Sequence, residues 1–170
     1  MTTEQPIRIL VVDDHDMLAS ALGQVLDAEP DMVSVGIAPD LARARGLIRT
    51  TTPDVVLLDH RLPDGDGVAA LPELRALRPS AHFVVLTAST ADSVLVAAIE
   101  GGAAGFLSKT RGLAEITNAV RAAALGEAVI SPGCSPGCCP GSTAGRPRGR
   151  SSPTVSARRS ASSPTGCPTP

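Results

Sequence analysis

The stretch Val55-Val56-Leu57-Leu58-Asp59-His60-Arg61-Leu62-Pro63-Asp64-Gly65-Asp66-Gly67 decides the fold. It opens, after the breaker pair Thr52-Pro53, with four apolar residues, two of them β-branched. An apolar run this short, bounded by turn residues, predicts a strand buried on both faces. The run stops at Asp59. Pro63, Asp64, Gly65 and Gly67 then predict a loop, because Pro fixes φ and Gly permits φ > 0. One carboxylate is thereby placed at the C-terminal tip of a central strand, on the sheet edge where open parallel α/β folds bind ligands.

The flanking sequence repeats the same unit. Ile7 to Val12 predicts a first strand, ending in Asp13-Asp14. A helical pattern follows, with Met17, Leu18, Ala21, Leu22, Val25 and Leu26 at spacings of three and four, and Pro30 closes it. Met32 to Ala38 predicts a second, weaker strand. Asp40 is placed to cap a helix running to about Arg49, with Leu41, Ala44, Leu47 and Ile48 inward.

Past the central strand, Val68 to Leu77 predicts a third helix containing Pro72. Proline is tolerated in a first turn, and would be so here if the helix proper began at Leu71 or Pro72. His82 to Thr87 predicts a fourth strand, Asp92 to Glu100 a short helix ended by Gly101-Gly102, and Gly105 to Ser108 a fifth strand followed by Lys109. Leu113 to Leu125 predicts the last helix, with Ile116, Ala119, Val120 and Ala123 on one face and Gly126 as its cap. Five successive strand–helix units at regular spacing imply an α/β fold with a doubly wound parallel sheet.

Four of those strands finish on polar groups: Asp13-Asp14, Asp59, Thr87 and Lys109. Parallel strands bring these ends to one edge. Each Asp taken alone is equally well a helix cap or a turn residue, but the full set predicts a cluster of three carboxylates, a hydroxyl and an ammonium. Two like charges roughly 4 Å apart repel by about 4 kcal/mol at an effective dielectric of about 20. One carboxyl is therefore protonated or a cation is bound. An all-oxygen ligand set favours a hard divalent ion such as Mg²⁺. Such a site beside Thr87 and Lys109 suits a phosphoryl group, with Asp59 able to form an acyl phosphate.

This pattern over residues 7–125 resembles the receiver domain of bacterial two-component response regulators. The resemblance rests on Asp13-Asp14, on Asp59 within Leu57 to Gly67, on Thr87, and on Lys109 after Gly105-Phe106-Leu107-Ser108. It implies a flavodoxin-like five-stranded sheet of order 2-1-3-4-5 with helices on both faces. Asp59 would be the phosphoacceptor. Asp14, Asp59 and the main-chain carbonyl of Arg61 would bind Mg²⁺, with Asp13 acting through water. Thr87 and Lys109 would hold phosphoryl oxygens, and Phe106 would be the switch aromatic, its ring moving inward on phosphorylation. Arg61 and Ser89, two residues beyond Asp59 and Thr87, would set the dephosphorylation rate. The implied partners are a sensor histidine kinase and a second copy of the chain on phosphorylation; no further enzymatic activity is implied. Leu62-Pro63-Asp64-Gly65 and Gly105 to Lys109 resemble the NarL/LuxR-type branch, which carries a helix-turn-helix output domain. A haloacid-dehalogenase-like phosphatase also uses a strand-end Asp, but needs a second Asp two positions on, where this chain has Arg61. His15 and His60 flank the pocket without metal-ligand spacing and are expected to be solvated loop residues.

Charge and composition divide the chain. All 17 Asp and Glu lie at or before Glu127 with ten Lys and Arg, a net −7; beyond it are five Arg and no acid, a net +5. The reading is a receiver domain over residues 1–126 and a Ser/Pro/Gly/Arg-rich tail over 127–170, expected to be disordered. All four cysteines, Cys134, Cys138, Cys139 and Cys167, lie in that tail, without a zinc-binding pattern. No helix-turn-helix pattern occurs there, so DNA binding is not expected. Residues 152–157, Ser-Pro-Thr-Val-Ser-Ala, are compatible in another reading frame with Leu-Thr-Asp-Arg-Leu-Ser, the kind of sequence that opens a LuxR-type helix-turn-helix. The tail thus reads either as a native disordered segment or as an out-of-frame remnant of a DNA-binding domain, which the coding DNA decides. No apolar run approaches the roughly 18 residues of a membrane span, and no secretory signal is evident, so a cytoplasmic location is expected.

Overall fold

The computed structural model describes residues 5–88 and 92–130. Ser89 and the tail from residue 131 lie outside the described residues, so the readings placed on them are not addressed by it. The chain runs β1 (Ile7–Val12), α1 (Asp16–Ala28), β2 (Met32–Ala38), α2 (Leu41–Thr51), β3 (Val55–Asp59), β4 (Arg61–Leu62), β5 (Gly65–Asp66), α3 (Gly67–Leu77), β6 (His82–Thr87), α4 (Asp92–Glu100), β7 (Gly105–Ser108), α5 (Leu113–Ala124) and β8 (Val129–Ile130). The main sheet has the order β2-β1-β3-β6-β7-β8 and every pairing in it is parallel. The five long strands are those the sequence predicts, in the expected order. β8 is an addition, continuing the sheet past Gly126.

Alternation along the strands explains why they read as continuous apolar runs. Leu10, Val12, Val56, Leu58, Phe83, Val85 and Phe106 face α2, α3 and α4, where they meet Leu41, Ile48, Leu71, Leu74 and Leu95. Ile9, Val11, Val55, Leu57, Val84, Leu86 and Leu107 face α1 and α5, where they meet Leu22, Leu26, Ile116 and Val120. With both faces covered, every position of β3 is buried, and β1 is buried from Ile9 onward.

Local details refine the sequence reading. α3 spans Gly67–Leu77, as the predicted helix over Val68 to Leu77 requires, so the conditional start at Leu71 or Pro72 does not apply. Asp66 caps it, accepting hydrogen bonds from the N–H groups of Val68 (2.8 Å) and Ala69 (3.1 Å). Pro72 therefore sits inside the helix, on its exposed side, where it costs one backbone bond. Burial of Val68, Leu71 and Leu74 on the other side offsets that loss. Met17 does not face the core; it is 89% exposed, because the buried stripe of α1 runs through Ala19, Leu22, Gly23 and Leu26. The loop after Asp59 is ordered as a small antiparallel pair, with Arg61 opposite Asp66 and Leu62 opposite Gly65.

Glycines end α4 and α5 as expected. Gly102 (φ 82°) and Gly126 (φ 78°) adopt the left-handed conformation, and the residue after each bonds back to a carbonyl of the last turn: Ala103 to Ala98 and Glu127 to Ala122. Among the described residues, no helix is long and apolar enough to cross a membrane.

Candidate functional site

The C-terminal strand ends deliver the polar groups to one edge. Register places Val12 beside Leu58, Asp59 beside Leu86, and Thr87 beside Ser108. Asp13, Asp59 and Thr87 are all buried there, at 1%, 4% and 1% exposure. They border a cleft of about 300 Å³ lined by His15, Leu18, Asp59, His60, Arg61, Thr87, Ala88 and Lys109.

Lys109 holds the carboxylates together. Its Nζ lies 2.7 Å from Oδ2 of Asp13 and 2.7 Å from Oδ2 of Asp59. Burial works to lower the pKa of this ammonium. The bonds to Asp13 and Asp59 work the other way and prevail, so it lies above its ordinary value and Lys109 is charged at neutral pH. The backbone fixes the geometry further, since the Lys109 N–H donates to the Thr87 carbonyl at 2.7 Å.

The Oδ1 atoms face the other way. Asp59 Oδ1 accepts the N–H of Arg61 at 3.3 Å, and Asp13 Oδ1 accepts the N–H of His15 at 2.9 Å. One ligand atom from each of Asp13, Asp14, His15 and Asp59 lies within 4.8 Å of the others. Oδ2 of Asp13 is buried against the Lys109 ammonium, 2.7 Å away, as an ion pair. The donor set is dominated by carboxylate oxygens, with one lysine against three acids. These residues fit a hard divalent cation such as Mg²⁺.

The structure thus brings together Asp13, Asp14, Asp59, Arg61, Thr87 and Lys109. Phe106 is close behind, on β7. Its ring is already buried, at 7% exposure, so the expected inward movement begins from a ring that is inside. His15 is solvated as expected, its side chain 69% exposed, whereas His60 is not. The Nδ1 of His15 lies 2.8 Å from Asp14 Oδ1 and 3.2 Å from Asp13 Oδ1. The His60 side chain is only 12% exposed, with Nε2 3.5 Å from Asp66 Oδ2. Its backbone is pinned on both sides, donating to the Leu86 carbonyl and accepting from the Gly67 N–H, each at 2.9 Å.

Two residues near the site carry roles that spacing alone does not reveal. Asp64 accepts hydrogen bonds from the N–H groups of Leu41 (2.9 Å) and Ala42 (3.0 Å), so the loop after the phosphoacceptor candidate caps α2 from a distance. Gly67 passes close to the Asp59 carbonyl. The only signal for either was membership of a Pro/Asp/Gly-rich turn.

A family model described as the response regulator receiver domain matches residues 9–121. The chain belongs to this family. The receiver domain is 34% identical over 131 residues to the nitrate/nitrite response regulator protein NarL of Escherichia coli (strain K12), covering 77% of this chain and 61% of that protein. It is 36% identical over 121 residues to the transcriptional regulatory protein LiaR of Bacillus subtilis (strain 168), covering 71% of this chain and 57% of that protein. A crystal structure of a LuxR-family two-component response regulator from Aurantimonas sp. SI85-9A1 superposes with a TM-score of 0.71 at 30% identity, over 75% of this chain and 91% of that one. The chain spans 57–61% of the length of the two curated relatives. It is a receiver domain of the two-component type, related to LuxR/NarL regulators.

Proposed function

We propose that this receiver domain takes a phosphoryl group from a sensor histidine kinase onto Asp59 and switches conformation in response. The observation that carries the reading is the placement of Asp59 Oδ2 against Lys109 Nζ, at 2.7 Å, on the sheet edge where Asp13, Asp14 and Thr87 converge. An oxygen of Asp59 attacks phosphorus, the bond from phosphorus to the donor's leaving group breaks, and an acyl phosphate remains on the chain. Lys109 and Thr87 would hold the phosphoryl oxygens. Asp14, Asp59 and the Arg61 carbonyl would hold Mg²⁺, with Asp13 acting through water, and the bound ion would supply charge neutralisation for phosphoryl transfer. The chemistry is self-catalysed phosphorylation and dephosphorylation, with no other substrate turned over. The working place is the cytoplasm, and phosphorylated copies pair as homodimers.

Descent from a LuxR-type transcriptional regulator accounts for the relatives. A second reading is a receiver acting through protein partners without DNA binding; it draws on the match to the family model, which covers the receiver part at residues 9–121. Sequence-specific DNA binding by the full chain would remove that second reading.

The test of the phosphoacceptor is incubation with acetyl phosphate and Mg²⁺, followed by mass spectrometry. One phosphoryl group is expected on the wild type and none on Asp59→Asn, because an amide is a poor nucleophile. Chelation of Mg²⁺ is expected to stop the reaction. Undiminished labelling of Asp59→Asn would move the acceptor elsewhere.

A further inference from the structure

Lys109 and His15 divide the carboxylate oxygens between them. Lys109 takes the Oδ2 atoms of Asp13 and Asp59. His15 lies on the other side, against Oδ1 of Asp13 and Oδ1 of Asp14. A cation excluded from the lysine's side by its charge must use the Oδ1 side, and there an imidazole nitrogen already stands among the oxygens.

The spacing is that of a coordination shell. Ligands at about 2.1 Å from an octahedral ion lie about 3.0 Å apart when adjacent and about 4.2 Å apart when opposite. Nδ1 of His15 is 2.8 Å from Asp14 Oδ1, the spacing of adjacent ligands, and 3.2 Å from Oδ1 of Asp13, the carboxylate assigned to act through water; the four candidate ligand atoms fall within 4.8 Å of one another, slightly wider than a closed shell. The backbone helps to hold this arrangement, since the His15 N–H donates to Asp13 Oδ1. The side chain is 69% exposed, so water can solvate Nε2–H while Nδ1 turns its lone pair to a metal.

We propose that His15, through Nδ1, is a ligand of the divalent cation in the acidic pocket and shifts the site's preference from Mg²⁺ toward nitrogen-accepting ions such as Mn²⁺ and Co²⁺. This rests on the receiver reading of the pocket. Carboxylates suit Mg²⁺ and Mn²⁺ alike, whereas imidazole adds affinity mainly for transition ions. His15 contributes no side-chain cap to α1, so its removal leaves the helix start intact.

The test is metal binding by the full chain, comparing wild type with His15→Ala. Mn²⁺ is titrated by electron paramagnetic resonance, and Mg²⁺ by its displacement of Mn²⁺. The variant is expected to lose at least about tenfold in Mn²⁺ affinity, the lower end of what loss of an outer-shell partner alone produces, and to lose less for Mg²⁺. Spin-echo modulation from a coordinated ¹⁴N is expected in wild-type Mn²⁺ protein and absent in the variant. An unchanged Mn²⁺/Mg²⁺ preference without nitrogen modulation would overturn the inference alone. So would tighter binding of both ions by the variant, which would make His15 a competing positive charge. Failure of the wild type to bind either ion would sink the pocket reading and this inference with it.

Discussion

A Cβ on Gly67 would lie 2.0 Å from the carbonyl oxygen of Asp59. Neither partner can readily yield. Asp59 is locked in β3 between β1 and β6, and Gly67 is the first residue of α3. Gly67→Ala is therefore expected to push α3 away from the site and to lower stability by about 1–3 kcal/mol, the range for overpacking. Urea unfolding checks the stability, and the rate of labelling by acetyl phosphate checks the displacement of the site. A wild-type midpoint would mean that the β5–α3 junction moves freely.

The Asp64 cap on α2 predicts a pH dependence. Its hydrogen bond from Leu41 leads the effect; desolvation opposes it, and the bond from Ala42 adds to it, leaving the carboxyl below its ordinary pKa. A depressed folded-state pKa contributes stability that is present above the unfolded value, about 3.9, and lost as pH falls through the folded value. Asp64→Ala is expected to lower stability by about 1 kcal/mol at neutral pH, as loss of a cap does. The gap to wild type should narrow as the solution is acidified below about pH 3.9. Thermal unfolding of both proteins over a descending pH series measures it. A gap that is constant with pH would assign the effect to something other than the charged cap.

What the sequence could and could not reveal follows from the range of each signal. Strand ends are local, so Asp13, Asp59, Thr87 and Lys109 were legible as soon as the strands were. The sharing of core residues between two faces was also legible, since a β strand alternates with period two. Asp64 capping α2 was not, because the bond joins residues 23 positions apart and no local pattern announces it. The extent of α3 was legible despite Pro72, because the Asp66 cap and the burial of Val68 outweigh that local breaker. The burial of His60 was not legible, because its cover comes from the small hairpin that sets Asp66 beside it and not from any local pattern.

The buried ring of Phe106 changes what phosphorylation should do. A ligand shifts an equilibrium only by its differential affinity for the two states. With the ring already inside, the unphosphorylated protein is expected to show the NMR resonances of a buried phenylalanine, and acetyl phosphate with Mg²⁺ should move them little. Thr87→Ala should leave phosphorylation intact but abolish the shifts that accompany it in backbone amides near Ala88 and Lys109. A large phosphorylation-linked shift of the Phe106 ring would show that its resting state is outside. Identical amide shifts in wild type and variant would remove Thr87 from the coupling.

The lifetime of the phosphorylated state should depend on Arg61. An acyl phosphate is lost when water attacks phosphorus in line, opposite the Asp59 oxygen. Arg61 lines the cleft at Asp59, its backbone N–H donates to Asp59 Oδ1, and its side chain is exposed at the rim. Pairing with Asp66 in the small hairpin fixes where that side chain starts. Two effects oppose each other. A long cationic side chain over the phosphoryl group excludes the attacking water, while its charge would stabilise charge on the phosphoryl oxygens. Exclusion should prevail, because the transition state is loose and Lys109, 2.7 Å from Asp59 Oδ2, is placed to neutralise those oxygens itself. Arg61→Ala is therefore expected to speed dephosphorylation about tenfold, equivalent to about 1.4 kcal/mol of barrier. The measurement is the decay of phosphorylated protein after acetyl phosphate is removed, with wild type and variant side by side. Unchanged or slower decay in the variant would show that Arg61 does not shield the site.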